Sequence, residues 1–295
     1  MNQNYKKEVN YYVETVLERF SKYQSVVLEL FSFFHNFCIE NEITYFCAYG
    51  TLLGLIRDGE MLPWDYDCDV MIFGSDLEKL LKSFDEKLPD DYYYVYNNNT
   101  KKYCAECIRL CKKGYSYMAF HIDIFLLIGA PNEKKKRENF KKGIYNIESA
   151  KISLFYPYHV DNSSMTRVQK LLRVFYKIKH LFLTEKRIHK KEIGFIKKYP
   201  IERAEYLCLI QPFMDEYKKE WFEKSIVLKN NDFEYCVPIG FKEILKAGYG
   251  DYENKPTIES SFDELYRSLN IIEKRQAFYK KQIEKCQNNK KEIQK

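Results

Sequence analysis

The chain has 295 residues, enough to bury a sizeable core, and its 45% hydrophobic and 17% aromatic content excludes a disordered or fibrous polymer. Its 48 basic and 42 acidic residues are interspersed and leave a formal charge of +6, which does not fit a dedicated nucleic-acid binder. Nine cysteines without framework spacing, an N-terminus without an apolar signal region and no bilayer-length apolar run lead us to expect a cytoplasmic protein with reduced thiols.

From about residue 9 to residue 40, apolar residues recur three and four apart, which predicts a long amphipathic helix. "ITYFCAYG" reads as a strand ending in a glycine turn, and "LLGLIRDG" as a short helix ending near Gly59. "CDVMIF" is a second strand, and "SDLEKLLKSFDEKL" a helix with Ser75 as its N-cap. "YYYVYN", "YCAECIRLC" and "AFHIDIFLLIG" read as strands. Helical patterns follow in "NEKKKRENFKKGIYNIESAKI", "MTRVQKLLRVFYKIKHLFL" and "TEKRIHKKEIGFIKKY". "FEYCVPI" is a further strand, "FKEILKAGYG" a short helix closed by glycine, and the polar tail a long helix. The expected class is α+β, a mixed sheet flanked by helices with a helical C-terminal part. The expected division is a core over 1–150, with its N-terminal helix, and a mainly helical part over 151–295. A single continuous domain is the alternative, since the boundary near 145–165 is soft.

The candidate chemistry sits in "AYGTLLGLIRDGEMLPWDYDCDVMI". Asp65, Asp67 and Asp69 occupy alternate positions beside an apolar run. Alternate strand residues share a face, so Asp67 and Asp69 stand roughly 7 Å apart on one side. Like charges so placed repel unless a cation compensates them, and two such carboxylates can grip divalent ions. Asp123 lies between Ile122 and Ile124 in an otherwise apolar strand. If that strand runs beside "DCDVMI", Asp123 joins the pair. A Gly-Thr turn, then D-x-D, then a lone later Asp follows the logic of polymerase-type nucleotidyltransferase sites.

The same segment resembles the signature of the LicD/fukutin family: G-T-L-L-G, an Arg, Pro-Trp-Asp, then D-x-D and an apolar residue. "HIDIF" is similar to that family's second acidic strand and "CIRLC" to the Arg-bearing strand before it. "VPIGFKEILKAGYGDY", within 236–252, is similar to its C-terminal signature. The resemblance implies a nucleotidyltransferase-like fold that moves a phospho-alcohol, such as phosphocholine, from a CDP-activated donor to a glycan hydroxyl in surface polysaccharide or lipopolysaccharide synthesis. Carried over by position, Asp67 and Asp69 would bind Mg²⁺ or Mn²⁺, and Asp123 would be the third ligand or the general base. Gly50 and Thr51 would lie under the donor phosphates, and Arg57 would neutralise them. Arg109 would reach the phosphates or pair with an aspartate. Asp65 and Trp64 would stand just behind the ligands, and Trp64 either stacks on the donor or packs beside Pro63. The implied partners are a CDP-alcohol and a glycan or lipid-linked glycan, with no nucleic acid. A nucleotidyltransferase adding a nucleotide to a small molecule or macromolecule is the alternative, because the same acids serve both. The chain departs from the family at Asp58, Tyr66 and Cys68, and it lacks histidines after Tyr-Gly-Asp-Tyr. Those differences bear on donor and acceptor rather than on the metal ligands.

Two other segments have plain readings. Cys104, Cys107 and Cys111 fit strand packing as well as they fit a zinc site without a fourth ligand. The basic, apolar segment Arg167–Lys191 fits a helix packed on the core with a solvated basic face, or a peripheral contact with an anionic membrane at its inner face.

Overall fold

The computed structural model describes residues 3–155, 171, 174–175, 177–180, 182–211, 213, 215–230, 233–255 and 258–293. Its architecture is mixed α+β, a seven-stranded mixed sheet flanked by helices, followed by a helical C-terminal part. The first helix, α1 (Gln3–Glu40), buries Val16, Phe20, Val27, Leu30, Phe31, Phe34, Phe37 and Cys38. That 3.6-residue rhythm makes one apolar stripe, and each buried Phe contributes on the order of 2 kcal/mol.

Strands β1 (Tyr45–Cys47), β2 (Cys68–Phe73), β3 (Tyr92–Val95), β4 (Ile108–Lys112) and β5 (Ile122–Ala130) form the sheet in the order β1-β2-β5-β4-β3. Only the β2–β5 pairing among these is parallel. All nine residues of β5 are buried, as expected of a central strand covered on both faces. β5 outruns β4, and β6 (Tyr206–Leu209) pairs antiparallel with its free end at Leu127–Ala130, carrying β7 (Tyr217–Lys218) with it. A hairpin of β8 (Ser225–Asn230) and β9 (Phe233–Pro238) forms a second sheet against β1 and α1. The Tyr45 hydroxyl joins them: it accepts from the Cys236 N–H at 3.2 Å and lies 2.8 Å from His35 Nδ1.

The remaining helices are α2 (Tyr49–Arg57), α3 (Leu77–Lys87), α4 (Lys134–Phe155), α5 (Glu185–Lys198), α6 (Phe241–Tyr249) and α7 (Ile258–Ile293). α2 begins directly after β1, so Gly50 and Thr51 are its first turn rather than a loop. α2 packs so closely on the following loop that a Cβ on Gly54 would lie 2.6 Å from the Glu60 carbonyl oxygen. Before α3 a 3-10 turn spans Gly74–Asp76, so its N-cap is Asp76, not Ser75, and neither side chain makes a capping bond there. α6 ends on Gly250 at φ 65°, a left-handed conformation that suits glycine, with its N–H donating to the Lys246 carbonyl. The sequence reading assigns one strand after residue 200, whereas the described residues hold four: β6 and β7 are too short to show alternation, and β8, Ser-Ile-Val-Leu-Lys-Asn, has three apolar residues in a row instead of an alternation.

Between α4 and α5 the Lys151 ammonium lies 2.6 Å from carboxylates of both Glu148 and Glu192, all three nearly inaccessible. Of the eight described cysteines, all free, seven are buried and Cys104 is half-buried. In the segment Arg167–Lys191, residues 167–170, 172–173, 176 and 181 lie outside the described residues. Leu171, Val174, Phe175, Ile178 and Phe182 are exposed, so these five apolar side chains are not seated on the core. Among the described residues, no helix is long and apolar enough to cross a membrane.

Candidate active site

Strand register builds the site. Asp69 on β2 stands opposite Asp123 on β5, and Asp123 stands opposite Arg109 on β4. Residues in register share a face, so the three side chains form one row across the centre of the sheet. Asp67 and His121 each precede a member of that row by two residues and share its face. The His121 Nε2 lies 3.4 Å from Asp67 Oδ2 and 3.3 Å from Asp123 Oδ1. One ligand atom from each of Asp67, His121 and Asp123 lies within 4.8 Å of the others. Both His121 ring nitrogens are buried, and neither has a hydrogen-bond partner in good geometry. A buried imidazole aimed between two carboxylates is an unsatisfied polar group, and a divalent cation would satisfy it. The residues present therefore fit a metal.

The carboxylates are not equivalent. Arg109 grips Asp123, with Nε 2.8 Å from Oδ1 and Nη2 3.3 Å from Oδ2, and its Nη1 reaches the Tyr117 carbonyl at 3.4 Å. Burial works to raise the Asp123 carboxyl, but the Arg109 guanidinium, with the His121 ring also beside it, pulls it well below the usual range. Asp69 is pushed the other way, first by burial and then by the charges of Asp67, Asp123 and Asp65. Its backbone is fixed on both sides: the N–H donates to Thr51 Oγ1 at 2.8 Å, and the carbonyl accepts from the Ala48 N–H at 2.9 Å. Asp65 lies against the first turn of α2, where free helix N–H groups favour negative charge. A Cβ on Gly50 would come within 2.4 Å of its Oδ2, so glycine is what admits the carboxylate there. The Tyr66 phenol is pushed up to about 12 by burial and by Asp67, against the opposing pull of Arg275 and Arg109.

The structure thus brings Asp67, Asp69, Asp123, Arg109 and Thr51 together, with Asp65 and Gly50 in contact beside them. Thr51 and Arg109 spend their polar groups on the aspartates themselves. Arg57 pairs with its neighbour Asp58 through two bonds of 2.9 and 2.8 Å, and Lys255 lies 3.4 Å from the same carboxylate. Trp64 is half-buried and packs against the core. His121 is the residue that sequence reasoning missed. Its signal was the two-residue step to Asp123 in "HIDIF". On the β4 side of the row, a cavity of 230 Å³ is lined by Arg109, Arg275, Glu106, Tyr103, Cys104 and Tyr117, among others.

Comparison with known proteins places this geometry in context. The chain is 26% identical over 257 residues to lipopolysaccharide cholinephosphotransferase LicD of Haemophilus influenzae, an alignment covering 80% of this chain and 92% of that protein. Residues 42–153 match the family described as LicD/FKTN/FKRP, nucleotidyltransferase domain. That span runs from just before β1 to near the end of α4 and holds Asp67, Asp69, Arg109, His121 and Asp123. Through this span the chain is similar to the LicD/FKTN/FKRP nucleotidyltransferase domain.

Proposed function

We propose that the protein is a metal-dependent phosphotransferase. It moves a phospho-alcohol, phosphocholine in the first instance, from a CDP-activated donor to a hydroxyl of a surface glycan or lipopolysaccharide. The observation that carries the reading is the convergence of Asp67, His121 and Asp123 on one point, with Asp69 in register beside them. The name of the Haemophilus influenzae relative, a lipopolysaccharide cholinephosphotransferase, supports phosphocholine as the group and lipopolysaccharide as the acceptor class.

In this reading Asp67, Asp123 and His121 hold the cation, with Asp69 as a further ligand. A mixed oxygen and nitrogen donor set favours Mn²⁺ over Mg²⁺. The bound ion would neutralise the donor diphosphate and favour in-line displacement at phosphorus. The acceptor hydroxyl oxygen forms the new P–O bond, the bond to CMP breaks with its electron pair on CMP, and the hydroxyl proton goes to a carboxylate. Thr51 and Gly50 keep Asp69 and Asp65 in place, Arg57 stays available to the donor only by leaving Asp58, and Trp64 backs the loop. We take the chain as one continuous catalytic unit, because β6 and β7 extend the sheet that holds the site.

We also propose peripheral contact with an anionic membrane at its inner face. Leu171, Val174, Phe175, Ile178 and Phe182 stand exposed at helical spacing, with Lys177 and Lys179 among them. Sedimentation with vesicles containing acidic phospholipid tests it, and no binding at low salt overturns it.

Calorimetric titration of CDP-choline, CDP-ribitol, CDP-glycerol and CTP, with Mn²⁺ or Mg²⁺ and without, tests the main reading. Metal-dependent binding and turnover of a CDP-alcohol, lost in Asp67→Ala/Asp69→Ala, is expected. Productive binding of CTP alone would replace transfer of a phospho-alcohol with transfer of a nucleotide.

A further inference from the structure

We propose that a second cavity, between the first turn of α2 and the last turn of α6, is a subsite for an organic cation of the quaternary-ammonium type. The proposal rests on the phospho-alcohol reading above and adds where the alcohol lies and what charge it carries.

The cavity measures 280 Å³ and lies on the β1–β2 side of the acidic row, opposite the arginine-lined one. Its wall holds four aromatic rings, Tyr49, Tyr217, Phe222 and Tyr249, and two carboxylates, Asp215 and Glu216, but no lysine or arginine. Glu216 is already neutralised, 3.1 Å from Arg137 Nε and 2.6 Å from Lys141 Nζ. Asp215 has neutral partners: its Oδ2 accepts from the Tyr49 hydroxyl and, at 2.6 Å, from Gln211 Nε2. No ion pair to Asp215 exists among the described residues. The wall therefore combines aromatic rings with one carboxylate without a counter-ion, the chemistry that binds alkylammonium groups.

Three contacts join this cavity to the acidic row. Met71, in its wall, follows Asp69 by two residues on β2 and shares its face. Ala48, also in the wall, donates its N–H to the Asp69 carbonyl. Tyr249, also in the wall, has its phenol pushed up to about 12 by burial and by the charges of Asp69, Asp65 and Asp215. Tyr49 supports the same wall from a backbone at φ 44°, rare for a residue with a side chain, held by its hydroxyl bonds and by edge contact with Phe125. A phosphate at the row would leave its alcohol pointing into the aromatic cavity and its nucleotide toward Arg109 and Arg275. A neutral polyol would leave Asp215 without a counter-charge, and a nucleobase carries no positive charge to meet it.

The test is calorimetric titration of choline chloride, tetramethylammonium chloride and glycerol into the full chain and into Asp215→Asn, Tyr249→Phe and Tyr249→Ala, each checked for folding by circular dichroism. Both cations should bind the wild type and glycerol should not. Asp215→Asn and Tyr249→Ala should weaken choline at least tenfold, while Tyr249→Phe, which keeps the ring, should stay within threefold. If Asp215→Asn does not fold, Tyr249→Ala against Tyr249→Phe decides alone. No choline binding to the wild type, or equal binding by all variants that fold, overturns the subsite. Turnover keeps the two ideas apart. Transfer from CDP-glycerol but not CDP-choline sinks the subsite and leaves phospho-alcohol transfer standing. Choline binding with no turnover of any CDP-alcohol supports the subsite and removes the transfer reading.

Discussion

Asp69 is the residue at which function and stability pull apart. Burial and three neighbouring carboxylates raise its carboxyl, so folding favours its protonated form. That favourable contribution is complete below the unfolded value near 3.8 and is lost as pH rises through the raised folded value. At neutral pH the metal-free fold therefore bears the cost of this carboxyl, as a buried charge or as a proton taken up, and Asp69→Asn removes that cost. We expect this variant to unfold a few degrees higher without metal, a gain of about 1 kcal/mol, while losing transfer activity by more than 100-fold. Thermal melts in chelator, set beside turnover with Mn²⁺, check both halves. The pairing of Asp67 with Asp69 was legible because a strand alternates. The roles of Arg109 and His121 were not fixed by the sequence, since each depends on which strand lies next to β5. "CIRLC" allowed either a phosphate or an aspartate as the partner of Arg109, and only the antiparallel seating of β4 chose Asp123.

At the scale of elements, α4 is clipped to α5 by one lysine between two glutamates. Burial pushes Glu148 up, whereas Lys151 outweighs burial at Glu192 and holds it at about 2. The Glu192 contribution is fully present above its unfolded value near 4.5 and disappears as pH falls through about 2. Lys151→Met strands two buried carboxylates and should destabilise by about 3–5 kcal/mol at pH 7, read from urea denaturation. The gap between wild type and variant should narrow as pH falls from 4.5 toward 2. A constant gap would mean that Lys151 acts through packing alone. Long helices such as α1 and α5 were readable from their period. The start of α2 was not, because Gly50-Thr51 has the composition of a turn and the helix forms there only with β1 and β2 paired behind it. Strands of two to six residues, β6 to β8, take their structure from β5 and β9 rather than from local pattern.

At the scale of the whole molecule, the chain's last helix returns to support its centre. α7 buries Leu265, Leu269 and Ile272, and its polar face reaches the turn that leads into β5. Gln276 accepts from the Ser116 N–H at 2.9 Å and donates to the Gly114 carbonyl at 3.2 Å, and Arg275 donates to the Met118 carbonyl at 2.7 Å. The helix that reads as a polar tail in the sequence thus fixes the approach to His121 and Asp123. Gln276→Leu should cost about 1 kcal/mol and speed hydrogen exchange over residues 114–121 more than over α1. Equal exchange in the two proteins would show that the turn holds itself.

The distribution of thiols gives this protein a built-in clock. With Cys286 replaced by serine, a thiol-reactive dye meets one half-buried cysteine, Cys104, in the wall of the arginine-lined cavity, and seven sealed ones. Labelling should proceed in two phases, a fast one that ligands in that cavity slow and a slow one set by global opening. A single molecule would then report occupancy of the arginine-lined cavity and its own lifetime in the folded state from one time course.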